Sequence, residues 1–195
     1  MKQGKLIVLY GINNLGKTTQ AKILVDNLHS IGEKAEYLKY AIYNLEPSGT
    51  LLNEYLRKGN PLHLTAREFQ FLQVLNRWQY QPKLEKILAR GVNVVAEDYI
   101  GTGIAWGIAN GVDESLMKSF ATGLLEENLA FVFTGQRFNS GIESNHKHEQ
   151  NSELLRRAEE IHLRLAGEYS WIRVNSNRSV PEISDEIFER VKLLY

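Results

Sequence analysis

Cysteine is absent from this 195-residue chain. Its absence excludes disulfides, thiolate nucleophiles and cysteine-ligated zinc, and it agrees with a cytoplasmic setting. Neither sign of charge is in excess: 23 basic and 23 acidic residues give a formal net charge of zero. No overall basic field therefore recruits nucleic acid or an anionic membrane, and any anionic ligand needs a local site. Long apolar runs are missing as well. The N-terminal run from Leu6 to Tyr10 is too short for the core of a signal peptide or for a membrane span. Repeats, low-complexity tracts and linker-like stretches are lacking, so nothing divides the chain. With 43% hydrophobic and 24% charged residues, the composition supports one substantial core, and residues 1–195 are expected to form one domain.

What is present alternates between strand and helix patterns. Leu6-Ile7-Val8-Leu9 is a continuous β-favouring run ending at Gly11, as expected of a strand buried on both faces. From Thr18 the pattern becomes helical, with Ala21, Leu24, Val25 and Leu28 on one face, until Gly32 stops it. Further strands are expected at Ala35 to Tyr40, Val92 to Ala96, Leu129 to Thr134 and Trp171 to Val174. Thr65-Ala66-Arg67-Glu68 and Ser179-Val180-Pro181-Glu182 have the form of capping boxes. The first opens a long helix whose face Phe69, Leu72, Leu75 and Trp78 continues toward Pro82. At helical spacing, Phe71, Trp78 and Tyr80 are expected in the core rather than stacked on a ligand. Such alternation argues for a parallel sheet covered on both faces, with ligands at the carboxyl ends of its strands.

The first strand runs straight into GINNLGKTTQ, which fits G-x-x-x-x-G-K-[ST] with Gly11, Gly16, Lys17 and Thr18. Glycines allow the backbone shapes that turn amides inward onto phosphate oxygens. The amides of Asn13, Asn14, Leu15, Gly16, Lys17, Thr18 and Thr19 are the candidates. Lys17 would reach the β- and γ-phosphates, and the Thr18 hydroxyl would hold Mg²⁺ at the helix N-terminus. A nucleoside triphosphate site follows, although the motif alone does not separate kinase, switch and motor. At the end of the third strand, VNVVAEDYIG places two acids side by side. Glu97, at the carboxyl end of a central strand beside the Gly-rich loop, is the candidate for the Mg²⁺ region.

Four segments in order resemble the thymidylate kinase family of nucleoside monophosphate kinases: KLIVLYGINNLGKTTQAKIL, NRWQYQPKL, VVAEDYIGTGIAW and WIRVNSNRSVPEI. The resemblance implies a P-loop nucleotide-kinase fold, with a five-stranded parallel sheet in the order 2-3-1-4-5, helices on both faces and a short lid. A homodimer packed through helices is implied too. It maps a substrate-phosphate arginine onto Arg77, the acid ending the third strand onto Glu97, further substrate contacts onto Asp98, Tyr99, Thr102 and Gly103, and an adenine-bordering loop onto Asn175, Asn177 and Arg178. Arg178 reads equally as ordinary turn and capping chemistry.

Several positions depart from the family pattern. Asp98 occupies the family's arginine position, Gln73 stands where many members carry a base-stacking phenylalanine, and Asn13 replaces a frequent aspartate. The arginine after the second strand matches either Leu45, through LEPSGT, or Lys39 with Tyr40, through KYAIY; Lys39 is preferred because it directly follows the strand. The segment from Phe131 to Glu149 is shorter than the family's helix and lid together, with positive charge only at Arg137 and Lys147. His146 and His148, near Glu143 and Glu149, read as a solvated loop rather than a metal site.

The expected activity is ATP- and Mg²⁺-dependent phosphorylation of a nucleoside monophosphate, dTMP first among them. Lys17, Glu97 and Arg77 would be the catalytic groups, with Lys39, Tyr40, Gln73, Asp98 and Thr102 around the acceptor. A deoxynucleoside kinase, with Glu46 taking the hydroxyl proton, and an ATP-binding protein that has lost turnover remain alternatives. No Asn-Lys-x-Asp segment supports a GTPase switch.

Overall fold

The computed structural model describes residues 3–138 and 151–195. Five strands, β1 (Leu6–Tyr10), β2 (Ala35–Lys39), β3 (Asn93–Glu97), β4 (Leu129–Thr134) and β5 (Ile172–Asn175), form one sheet in the order β2-β3-β1-β4-β5. Every pairing is parallel, with Leu6 opposite Val94, Ile7 opposite Leu129, Lys39 opposite Glu97 and Phe131 opposite Ile172. The helices are α1 (Lys17–Ser30), α2 (Ser48–Arg57), α3 (Ala66–Ala89), α4 (Ile100–Ala109), α5 (Glu114–Ala121), α6 (Ser152–Glu168) and α7 (Val180–Lys192).

The period of two along β1 divides the core. Leu6, Val8 and Tyr10 pack with Leu84, Ile104, Leu165 and Trp171 on one face of the sheet. Ile7 and Leu9 pack with Leu24, Leu28, Phe131, Ile183 and Ile187 on the other. Both faces of the central strands are thereby covered, which is why they read as unbroken apolar runs.

Two strands begin one residue later than the apolar pattern suggests, for the same reason. The Val92 amide is spent on Ile87 O at 3.3 Å, closing α3, and the Trp171 amide on Ala166 O at 2.9 Å, closing α6. Helix α1 ends in a Schellman motif, with the Gly32 amide on His29 O and the Glu33 amide on Leu28 O, both 3.0 Å. Both capping boxes form, Thr65 with Glu68 and Ser179 with Glu182.

The orientation of α3 overturns the expected face. Its helix runs through Pro82 to Ala89, and its buried residues include Phe69, Gln70, Val74, Asn76, Arg77, Gln81 and Leu84. Phe71 and Trp78, expected in the core, are 55% and 40% exposed. Buried polar groups on this helix satisfy neighbouring backbone. Asn76 Oδ1 accepts from the Ile42 amide at 2.8 Å while its Nδ2 donates to Ile42 O at 2.9 Å. Gln81 Oε1 accepts from the Leu125 amide at 2.8 Å. Phe71 instead meets Phe120 edge-on, with ring centroids 5.5 Å apart.

Candidate active site

Because all five strands are parallel, their carboxyl ends bring the connections that follow them to one edge of the sheet. The β1 end delivers the Gly-rich loop, the β2 end Lys39 and Tyr40, and the β3 end Glu97 and Asp98. Together with α3 and α4 they enclose a cavity of about 450 Å³. Asn13, Asn14, Leu15, Gly16, Lys17, Thr18 and Thr19 line it on one side; Lys39, Tyr40, Gln73, Arg77, Glu97, Asp98, Thr102 and Gly103 complete much of the rest.

The Gly-rich loop depends on Gly11. Its φ is +126°, and a Cβ there would lie 2.7 Å from Phe133 O, so a side chain is excluded by both conformation and space. Gly11 itself lies behind the cavity wall, where its carbonyl holds Lys17. The buried Lys17 ammonium donates to Gly11 O at 2.9 Å and Ile12 O at 2.8 Å, and stands 3.6 Å from Asp98 Oδ1.

Glu97 is the hub of the charged end. Thr18 Oγ1 donates to its Oε2 at 2.6 Å, Tyr37 OH to the same oxygen at 2.7 Å, and Lys39 Nζ to Oε1 at 3.0 Å. Burial raises the Glu97 pKa, but Lys17, Lys39 and the bonds from Thr18 and Tyr37 outweigh it and hold the carboxyl below its ordinary value. Asp98 goes the other way. Burial lifts it above its ordinary value, only partly offset by Lys17, and the adjacent Glu97 adds to the rise. Its backbone is left-handed, φ 59°, a conformation that Asp tolerates better than most residues. Thr102 Oγ1 donates to its Oδ1 at 3.0 Å. The two neighbouring acids thus have opposite environments.

Arg77 is 3% exposed. It donates through NH1 to Gln73 O at 2.6 Å and through NH2 to Tyr99 O at 2.8 Å, while its Nε has no partner among the described residues. Its guanidinium lies 5.8 Å from the centre of the Tyr40 ring. Gly103 of α4 lies against it, and a Cβ there would stand 3.4 Å from NH2, an ordinary van der Waals contact. Among the described residues no carboxylate is within ion-pair distance of Arg77.

Like Gly11, the expected residues Tyr99, Asn175, Asn177 and Arg178 lie off the cavity lining. Tyr99 is buried and reaches the site only through the carbonyl that holds Arg77. Arg178 pairs with Glu186 and donates from Nε to Asn175 O at 3.4 Å. Asn177 Oδ1 accepts from the Gln136 amide at 2.8 Å, tying the β4 end to the β5–α7 connection. Arg137 donates from Nε to Asn13 O at 3.2 Å, so one of the two cations noted beyond Phe131 touches the Gly-rich loop. The expected lid, with Lys147, His146 and His148, falls outside the described residues. Among the described residues no group of three or more His, Asp or Glu side chains could hold a metal by itself, and no helix is long and apolar enough to cross a membrane.

Sequence reasoning missed part of the wall: Tyr43, Arg57, Phe69, Gln70, Trp106 and Phe138 also line the cavity. Arg57 lies over the Tyr43 ring, 4.7 Å from its centre. Tyr37, missed as well, supplies one of the bonds to Glu97. Gln70 was detectable, because Gln70, Gln73 and Arg77 recur at i, i+3 and i+7 and so form one polar stripe on α3.

The family model that matches this chain is described as Thymidylate kinase and covers residues 9–187. The chain is 25% identical over 189 residues to the thymidylate kinase of Dictyostelium discoideum, spanning 96% of this chain and 84% of that protein. To the Homo sapiens thymidylate kinase it is 27% identical over 191 residues, spanning 95% and 89%. A solved structure of thymidylate kinase from Candida albicans shares the fold, with a TM-score of 0.82 at 20% identity over 98% of this chain and 92% of that one.

Proposed function

The chain belongs to the thymidylate kinase family, and on that premise we propose that it transfers the γ-phosphate of ATP to the 5′-phosphate of dTMP, releasing dTDP and ADP. One observation carries the reading: Arg77 is a buried cation at the cavity wall and, among the described residues, has an unpartnered Nε and no carboxylate paired to it. A buried charge of this kind calls for an anion, and the Gly-rich loop lines the same cavity. A donor triphosphate and an acceptor phosphate therefore share one chamber.

The chemistry asks little beyond positioning. A phosphate oxygen is already nucleophilic at neutral pH, so the site needs aligned phosphates and neutralised charge rather than a strong base. The loop amides and Lys17 grip the triphosphate; Arg77 and Lys39 orient the acceptor; Tyr40 and Thr102 shape the space around it. Lys17 must leave Asp98 and the two carbonyls to meet phosphate. Asn177 and Arg178 border the adenine at the β5–α7 connection. Thr18 and Glu97 fit Mg²⁺, since their oxygens are 2.6 Å apart and such oxygen donors suit a hard cation. When bound, directly or through water, the ion supplies charge neutralisation on the phosphoryl oxygens.

Glu46, the base that a deoxynucleoside kinase would use, is exposed, bonded by Thr50 and away from the cavity lining. That favours a monophosphate acceptor. The reading takes residues 1–195 as one cytoplasmic domain, and a homodimer would cover the exposed Phe71 and Trp78. ADP release, followed with ATP and each nucleoside or deoxynucleoside monophosphate in turn, tests the assignment: dTMP is expected to give the highest kcat/KM, and turnover of thymidine but not dTMP would refute it.

A further inference from the structure

Among the described residues, three side chains donate to the Glu97 carboxylate: Thr18 and Tyr37 to Oε2, at 2.6 and 2.7 Å, and Lys39 to Oε1 at 3.0 Å. They differ in how firmly they are placed. Lys39 is a long chain at the end of the edge strand β2, its side chain 51% exposed. Tyr37 lies inside that strand, opposite Val95 of β3 and two residues before the register pair Lys39–Glu97. With a period of two, Tyr37, Lys39 and Glu97 share one face of the sheet, the face on which α1 packs. The Tyr37 ring is set against that core, and Lys22 of α1 lies over it, 6.0 Å from its centre.

The packing calls for the ring and not for the hydroxyl. An apolar side chain of similar size would cover the same surface, whereas the hydroxyl is placed on a buried carboxylate oxygen that already accepts from Thr18. Thr18 supplies the reason. A hydroxyl that offers a lone pair to a cation must direct its proton to an acceptor, and at 2.6 Å Glu97 Oε2 is that acceptor. The arrangement holds only while Oε2 stays turned toward Thr18. Lys39 cannot keep it there, because it bonds the other oxygen and is drawn to the acceptor's phosphate in the loaded site. Tyr37, a ring on a strand packed against α1, can.

We propose that Tyr37 is a positioning residue for the metal end of the site: its hydroxyl fixes Glu97 Oε2 on the Thr18 proton, which leaves the Thr18 oxygen free to ligate Mg²⁺. The inference rests on Thr18 and Glu97 being the Mg²⁺ end of the nucleotide site. Hydrogen bonds behind a metal-binding group set its direction, and their loss commonly lowers metal affinity by roughly ten- to a hundredfold. Tyr37→Phe keeps the ring and releases Oε2 to turn toward the neighbouring lysines.

The test is Mn²⁺ binding to protein in excess over ADP, read by loss of the free-ion paramagnetic resonance signal, with ADP affinity in EDTA measured beside it. Tyr37→Phe is expected to bind Mn²⁺ about tenfold more weakly than wild type while its metal-free ADP affinity stays within about twofold. The Mg²⁺ concentration for half-maximal turnover is expected to rise by a similar factor, with KM for dTMP unchanged. In a Glu97→Ala background the same substitution is expected to weaken Mn²⁺ binding no further, since Tyr37 acts through that carboxylate. Wild-type Mn²⁺ affinity in Tyr37→Phe overturns the proposal, as does an equal loss of metal-free ADP affinity or an undiminished effect in Glu97→Ala. If Glu97→Ala binds Mn²⁺ as wild type does, the ion's place on Glu97 fails and the role of Tyr37 with it, while dTMP turnover by wild type stands. If wild type turns over no dTMP but the Mn²⁺ results hold, the acceptor assignment fails and the role of Tyr37 stands.

Discussion

Replacing Asp98 with Asn removes one charge while keeping the side chain's shape and its capacity to accept from Thr102. The Lys17 ammonium stands 3.6 Å from Asp98 Oδ1, and at an effective dielectric of about 20 that attraction is worth about 5 kcal/mol before desolvation is counted. Lys17 must release it to meet the triphosphate. In D98N the ammonium keeps the Gly11 and Ile12 carbonyls and the field of Glu97, so only part of the attraction is returned to ATP binding. A gain of about 1.4 kcal/mol, or tenfold in affinity, is the expected outcome. The pH dependence has a defined sign. Asp98 titrates above its ordinary value, so its charge disappears as the pH falls through that raised pKa, and wild type then approaches the variant. By the same linkage, a carboxyl whose pKa rises on folding weakens the fold once ionised, so D98N is expected to melt no lower than wild type at pH 7. Calorimetric titration with ATP at pH 8 and at pH 5, beside thermal scans, measures all of this. An affinity in D98N equal to or below wild type at pH 8, or a gap that widens as the pH falls, would refute the reasoning.

Lys17→Met keeps the buried stem and removes the charge; kcat is expected to fall by roughly 10²- to 10³-fold in a steady-state ADP assay while the circular dichroism spectrum is unchanged. Arg77→Lys forfeits the fork that spans Gln73 O and Tyr99 O, and KM for the acceptor is expected to rise at least about tenfold with KM for ATP little altered. His162 is buried with its pKa pushed down to about 4, chiefly by burial. It folds neutral, so stability is full above about pH 6.5 and is lost as the pH falls toward 4, by up to about 3 kcal/mol. Urea unfolding of His162→Gln is expected to show a flatter pH profile over that window. Chelation of divalent cations is expected to abolish turnover while leaving the melting temperature of the ligand-free protein unchanged.

Local signals made much of the fold legible. The apolar strands, both capping boxes and the Gly-rich loop each depend on residues close in sequence, and the resemblance supplied the strand order that is observed. Strand starts were off by a residue at Val92 and Trp171 because a helix-closing hydrogen bond, invisible to hydrophobic pattern, claims the amide. On α3 the pattern misled more seriously. Apolar periodicity favours Phe69, Leu72, Leu75 and Trp78, but the helix faces a cavity and neighbouring backbone, and those surroundings select Gln70, Asn76, Arg77 and Gln81. Helical propensity carries no information about such partners. For the same reason Lys17, Thr18, Glu97 and Arg77 could be named from motifs, whereas Tyr37 entered only with the geometry.

The most direct test of the account is ADP formation by the wild-type protein with ATP, Mg²⁺ and dTMP, with thymidine and no acceptor as the paired controls. The account predicts ADP and dTDP in equal amounts, dependent on dTMP and lost in Lys17→Met. ADP that forms equally without dTMP, or that requires thymidine instead, would contradict it.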